Sequence, residues 1–429
     1  MCTQGAILCL SPYAEPSTCP RKKGNSVNSP CLPIGERIRY HRTRRGRTQV
    51  AVAGLAGITE AYLSQIERGL KVPSADVLTR IAAELNVPVA SLLGEDPAPS
   101  TTEASTTTAS SVVRALMGRG VPRGTEPATP TALRERVEAV WRIWQESPAR
   151  FTEAEKLLPS LISDTEHAIC AHRTGTDTGG RREVFRTAAD LYGLLRSYCR
   201  RTGRLDLSLV AADRARRAAE DADDPVRIAT AQWNLGHVLL SQGEEQAQEA
   251  GAVALLAVEG LQCVPQSPEA TAVRGALELV AVLSSARTCR WSEARKRLEQ
   301  RARPLAEQVG DGNVQWTVFG PTNVELHAMS LGMLAGEASE ALRVADQIDT
   351  SHLPSRERQF TFGLEVARCY DLRREDAAVL VHLLSLEELA PEDLVRSPLA
   401  REMVTNLVRR VRPTYRRQAA ALAQRMSLL

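Results

Sequence analysis

Aromatic side chains are scarce: Phe, Trp and Tyr make up 4% of the 429 residues, while hydrophobic residues reach 43%. This disfavours aromatic-rich β-sandwiches, and an apolar fraction that is mostly Ala, Leu and Val favours closely packed helices. Long hydrophobic runs are missing too. A stretch such as Ala252–Val258 falls far short of the ~20 residues that span a bilayer, so no membrane contact is expected. No basic segment precedes the short apolar run in residues 1–10, which argues against a secretory signal and for a cytoplasmic protein. The nine cysteines, Cys2, Cys9, Cys19, Cys31, Cys170, Cys199, Cys263, Cys289 and Cys369, never form C-x-x-C. Zinc-ribbon and thioredoxin spacings are therefore excluded, no metal is expected, and the thiols read as reduced. Phosphate-binding, dinucleotide-binding, zincin and nucleophile-elbow motifs are all absent, so no enzyme, no catalytic residue and no cofactor are expected. His167 and His172 are not spaced to share one helix face, and each reads as a surface or core histidine.

What is present is an uneven distribution of charge. The net charge is +3, but residues 1–94 carry twelve Lys/Arg against six Asp/Glu, so the remainder is faintly acidic. A basic head on such a body is the asymmetry expected when one domain meets a polyanion. The length predicts two or three folding units. Residues 1–33 read as a disordered tail, 34–94 as a small helical domain, 95–131 as a flexible linker rich in Pro, Ser, Thr and Gly, and 132–429 as a helical body.

In the body, segments such as Val184–Arg201, Leu207–Ala222, Val226–Gln242 and Ala341–Ile348 place apolar residues three and four apart, and no alternating strand is visible. Turns are expected at Gly203, Gly243, Arg290, Gly336 and Arg374. Small residues follow them, such as Ala212 and Ala215, or Ala341 and Ala345, which lets paired helices approach closely. The body is thus read as a tetratricopeptide-like α-solenoid with an irregular repeat, an irregular bundle being the rival. Gly320-Pro321 should break the helical run.

Between Ile34 and Leu93 five short helices are expected. Thr48 caps an Ala-rich second helix, Gly57 supplies a left-handed turn, Thr59 caps a third helix to Arg68, and Gly69 ends it. Helix, three-residue turn, helix is a helix-turn-helix. The run Gln49…Ala53…Gly57-Ile58-Thr59…Tyr62-Leu63-Ser64-Gln65-Ile66-Glu67-Arg68-Gly69…Pro73-Ser74…Leu78…Ile81-Ala82…Leu85-Asn86-Val87 closely resembles the lambda-repressor-like (XRE) DNA-binding domain. The whole chain therefore reads as all-α, a five-helix lambda-repressor-like domain linked to a solenoid.

That resemblance implies a third helix lying in the major groove of a double-stranded operator, with Leu63 and Ile66 turned to the core. The expected DNA-contacting set is Thr48, Gln49, Thr59, Glu60, Ala61, Ser64, Gln65, Arg68 and Lys71. Glu60 would accept from a cytosine amino group or simply favour the helix N-terminus. Ala61 would pack on a thymine methyl and Ser64 meet either base type. Gln65 would bond adenine or reach a phosphate, and Arg68 and Lys71 would neutralise phosphates. Of Arg37, Arg39, Arg42, Arg44, Arg45 and Arg47, the resemblance implies that Arg42 turns inward to pair with Glu67.

Regulators of this kind bind half-sites as homodimers, and in some of them the helical body receives a signalling peptide. A peptide or small-molecule effector is accordingly the expected occupant of a concave groove. Asn234 and Asn323 are its candidate ligands, each equally able to bond a neighbouring helix. The basic C-terminal region, with Arg401, Arg409, Arg410, Arg412, Arg416, Arg417 and Arg425, reads as a solenoid cap, with a second DNA contact as the rival. The rival functions are an interaction scaffold and an antitoxin-like partner with a weak DNA-binding head.

Overall fold

The computed structural model describes residues 34–44, 47–85, 87, 89, 92, 109–118, 126–173 and 176–428. No strand occurs among them, and the chain is all-α. Contacts divide it into two compact units, a head within residues 13–105 and a body within residues 106–429. The expected tail, residues 1–33, lies outside the described residues.

The head is built from α1 (Ile34–Arg44), α2 (Gln49–Leu55), α3 (Glu60–Glu67) and α4 (Ala75–Glu84). Each of the last three starts at a hydroxyl cap: Thr48 accepts from the Ala51 amide, Thr59 from Tyr62 and Ser74 from Val77. Such a cap stabilises a helix by about 1 kcal/mol against Ala. Gly57 at φ +64° turns the chain from α2 to α3, and Gly69 at φ +72° ends α3, a backbone region that side chains rarely adopt. Ile38, Val52, Leu63, Ile66, Ile81 and Leu85 form the buried centre. Of the expected fifth helix only Val87, Val89 and Leu92 are described, and Leu92 is buried in that core.

The body stacks helix pairs. After α5 (Ser110–Leu116) come α6 (Pro130–Glu146) and α7 (Arg150–His172), then α8 (Thr178–Arg201) with α9 (Leu205–Asp221) and α10 (Pro225–Leu240) with α11 (Glu244–Gln262). Next, α12 (Pro268–Arg287) pairs with a second helix that runs as α13 (Trp291–Arg297), a π-helical stretch at Leu298–Ala302 and α14 (Arg303–Val309). Two further pairs follow, α15 (Pro321–Leu334) with α16 (Ala338–Ala345), and α17 (Arg356–Leu372) with α18 (Asp376–Leu389). The end is formed by α19 (Pro391–Arg396), α20 (Pro398–Arg410) and α21 (Pro413–Arg425). Five of the pairs turn on a left-handed residue: Gly203, Gly243, Cys289, Gly336 and Arg374. Proline at the first helical position opens α10, α12 and α15, where its missing N–H costs nothing.

Small residues set the spacing. Ala247, Ala250, Ala254 and Ala257 bury one stripe of α11. A Cβ on Gly236 or Gly251 would come within 2.8 Å of Val280 or 2.4 Å of Ser284 on α12. The first helices of successive pairs touch in the order α8, α10, α12, α15, α17, and α17 meets α6, so the row of inner helices closes on its own beginning. Arg150 fastens that closure. Its side chain is 1% exposed and donates to Asp393 and Glu357, 243 and 207 residues away. This is a tetratricopeptide-like solenoid.

Two expectations change. The stretch 95–131, read as a linker, contains α5, whose Val112, Ala115 and Leu116 are buried in the body's first core. Their i, i+3, i+4 spacing is enough to dock one amphipathic turn and a half. Residues 95–108 and 119–125 lie outside the described residues. Around Gly320-Pro321 the chain is not merely kinked: Gln315, Trp316 and Val318 all have positive φ. Trp316 stacks on Trp141 with ring centres 4.6 Å apart, and Phe319 lies against Gly275, where a Cβ would meet its ring at 2.0 Å.

The basic C-terminal helices pack Met403, Leu407 and Leu422 inward against α18. Arg410 pairs with Asp371 and Asp376, and Arg425 with Glu387. These contacts suit a terminal cap.

Candidate nucleic-acid interface

Helix α3 has two unlike faces. Leu63, Ile66 and Glu67 are buried, whereas Thr59, Glu60 and Ala61 are exposed and Ser64 and Gln65 are half-buried. The exposed side therefore begins at the N-terminal turn, where the helix dipole and free amides favour a phosphate or an acceptor. Thr59 uses its hydroxyl oxygen as the cap. At the other end two cations stand together. Exposed Arg68 bonds the Ser64 carbonyl at 3.3 Å, and the Lys71 ammonium lies 5.5 Å above the Tyr62 ring. Both side chains are held only by weak, solvent-facing contacts, so each can turn to a phosphate at little cost.

The inward face is fixed by charge as well as by packing. Arg42 donates from Nε to Glu67 Oε1 at 2.6 Å and from Nη2 to Oε2 at 2.9 Å, with side chains 11% and 2% exposed. Such a fork is the strong form of ion pair, and losing one partner would strand a charge at a cost of about 3–5 kcal/mol. The Glu67 hydrogen bond also raises the Arg42 pKa above its ordinary value. Gln49, expected among the DNA contacts, is half-buried and gives its amide nitrogen to Glu67 Oε2 at 2.7 Å. Its amide is thus engaged by the helix junction rather than held open to solvent. Thr48 is exposed beside it as the α2 cap.

A residue without an expected role completes the junction. Gly35 on α1 sits over the end of α3, where a Cβ would fall 1.9 Å from the Ile66 carbonyl oxygen. Only a missing side chain lets α1 approach closely enough for Arg42 to reach Glu67. Its place beside Ile34 at the start of an amphipathic run was visible, but the close approach was not. Among the other arginines of the series, Arg47 reaches Glu84 at 3.4 Å, while Arg45 and the Arg44 side chain lie outside the described residues.

Asn234 and Asn323 are not open groove residues: they are 4% and 1% exposed. Asn234 accepts a hydrogen bond from Arg196, and the Asn323 side-chain oxygen has no partner among the described residues. Gly193 on α8 faces Asn234, where a Cβ would come 3.0 Å from its amide nitrogen. No group of three or more His, Cys, Asp or Glu suited to a metal ion occurs among the described residues. No helix among them is long and apolar enough to cross a membrane.

Capped helices α2 and α3, the Gly57 turn, a bolted inner face and a polar outer face with cations at its end define a helix-turn-helix head of the lambda-repressor type. A helix-turn-helix family matches residues 38–92. The chain is 41% identical to the HTH-type transcriptional regulator SinR of Bacillus subtilis over 63 residues, which is 14% of this chain and 57% of SinR. It is 38% identical to the transcriptional regulator ClgR of Mycobacterium tuberculosis over 60 residues, 14% of this chain and 54% of ClgR. With the uncharacterised HTH-type transcriptional regulator YazB of Bacillus subtilis the identity is 42% over 53 residues, 12% of this chain and 77% of YazB. The chain belongs to the XRE-type family of HTH transcriptional regulators. It spans little more than half the length of SinR. A crystal structure of Bacillus thuringiensis PlcR with the peptide PapR7 and DNA aligns over 83% of this chain and 98% of PlcR, at 13% identity and a TM-score of 0.29. At that score the two molecules do not superpose as wholes.

Proposed function

We propose that this regulator reads a specific duplex sequence with α3 in the major groove. Glu60, Ala61, Ser64 and Gln65 face base edges, while Arg68 and Lys71 grip phosphates. The observation that carries the reading is the division of α3, with Leu63, Ile66 and Glu67 locked inward and the opposite side presented polar to solvent. Such a helix is held rigidly enough to place donors and acceptors against a groove. Thr48 and Thr59, at the N-termini of α2 and α3, add backbone amides suited to phosphate contacts. Gln49 acts chiefly by holding Glu67. Half-site recognition calls for a homodimer, and the solenoid body, more than two thirds of the chain, is the part suited to receive a peptide or small-molecule effector.

The test is a competition gel shift at near-physiological salt, with duplex from upstream of the protein's own gene and scrambled duplex as competitor. The expected result is a complex that survives excess scrambled DNA and loses that preference in Ser64→Ala with Gln65→Ala. If scrambled DNA competes equally against every natural duplex tried, base reading is wrong and the head only grips phosphates.

A further inference from the structure

Several inner helices of the body bring guanidinium groups together. Arg196 and Arg200 lie one turn apart on α8, and Arg200 and Arg201 both reach Glu357 at the start of α17. Arg358 follows Glu357 in sequence. Carboxylates are too few for this set. Glu357 is shared by Arg150 at 2.9 Å, Arg200 at 3.3 Å and Arg201, and Asp393 is taken by Arg150. Arg196 and Arg358 form no ion pair among the described residues. Arg196 is 3% exposed, hydrogen-bonds only the neutral Asn234, and leaves its buried Nε without a partner, as does Arg200.

The neighbouring groups do not offset this charge. Burial, with Arg201 and Arg358 close by, pushes Arg196 down to about 10 against the pull of Glu357. Burial and the same neighbours, with Arg196, lower Arg200 well below its ordinary value. His237 is held neutral by burial and by Arg196, Arg358 and Arg200. The next carboxyl, Glu365, is itself pushed up to about 7 by burial. Arg200, His237 and Arg358 are only half-buried, so solvent reaches the cluster. Burying guanidiniums without counter-charge is costly, and their planar forks fit a two-oxygen anion.

We infer that the inner face of the body binds a compact oxyanion, the phosphate or carboxylate of a small effector, between Arg196, Arg200 and Arg358. The Trp233 ring, 5.5 Å from the Arg196 guanidinium, keeps that fork in place. This rests on the reading of the body as the effector-receiving half, and it adds the chemistry of the effector.

The experiment is thermal melting of the intact chain in sodium chloride, sodium phosphate and sodium citrate at one ionic strength and pH. Calorimetric titration with whichever anion stabilises would follow, with operator binding measured alongside. The expected result is a higher melting temperature in phosphate or citrate than in chloride, with phosphate alone indicating a phosphoryl effector and citrate alone a carboxylate one. Arg200→Gln with Arg358→Gln should weaken the measured binding by at least about tenfold, while Arg416→Gln on the exposed cap keeps it. Equal melting in all three salts overturns the site, as does a stabilisation that the double variant retains. Anion binding that leaves operator affinity unchanged supports the site and removes its regulatory link. Normal operator binding without any anion effect removes the site alone.

Discussion

Arg42 near the end of α1 and Glu67 at the end of α3 face each other through two parallel hydrogen bonds, and Gln49 from α2 joins them on the same carboxylate. Three helices of the head therefore meet at one buried charge. Glu67→Gln should destabilise the head by about 3 kcal/mol, and Arg42→Met by a similar amount, because each leaves a desolvated partner behind. The double variant should lose clearly less than the sum of the two. Hydrogen exchange of the α3 amides in the intact chain measures all three, and additive losses would show the pair is not coupled.

Gly35→Ala places a methyl group where the Ile66 carbonyl oxygen stands, 1.9 Å away. Backbone cannot yield as a side-chain tip can, so α1 must move off α3, at a cost of about 3 kcal/mol. DNA binding should fall with it, while the melting of the body stays unchanged. A gel shift and a circular-dichroism melt check both halves; full DNA binding by Gly35→Ala would refute the close approach.

Trp316 is held by stacking on Trp141, and the Asn313 and Gln145 amides bond each other at 2.6 and 3.3 Å just before it. Trp316→Ala should cost about 2 kcal/mol, less than the 3–5 kcal/mol of a fully buried tryptophan because Trp316 is only half-buried. Limited proteolysis should then cut within residues 312–320, where the wild-type chain resists.

Two groups of the body, buried His327 and half-buried Glu365, titrate in opposite senses. Burial pushes the Glu365 carboxyl up to about 7, with Ser330, Arg358 and Arg287 pulling it back. A folded pKa above the ordinary 4.5 means the folded chain holds the extra proton, so this contribution to stability is lost as pH rises from 4.5 to about 7. His327 is pushed down to about 3 by burial and then by Arg358, against the pull of the Asn323 carbonyl. It contributes stability that is lost as pH falls from 6.5 toward 3. The melting temperature of Glu365→Gln relative to wild type should therefore rise from pH 5 to pH 8. That of His327→Gln should rise as pH falls from 7 to 5. Flat differences in both variants would contradict the assignment.

Much of the head could be read from its residues, because short-range rules govern it. Thr48, Thr59 and Ser74 cap, Gly57 and Gly69 turn left-handed, and Leu63 and Ile66 face inward. The body's turns were legible for the same reason, each marked by a residue able to take positive φ or by its neighbour. What escaped was long-range. Nothing local pairs Arg150 with Asp393, seats Phe319 on Gly275, or commits Gln49 to Glu67. Helix α5 was read as part of the linker because seven residues with four apolar positions, amid Thr, Gly and Pro, carry little signal until a core receives them. Asn234 and Asn323 looked like groove ligands because residue type alone does not reveal burial.

The central claim is that α3 reads bases, and selection of bound duplexes from a random pool tests it most directly. The intact chain is compared with Ser64→Ala plus Gln65→Ala. The account predicts an enriched motif for the wild type that is lost or altered in the variant, with weak non-specific binding kept by Arg68 and Lys71. No motif from the wild type, or the same motif from both proteins, would contradict it.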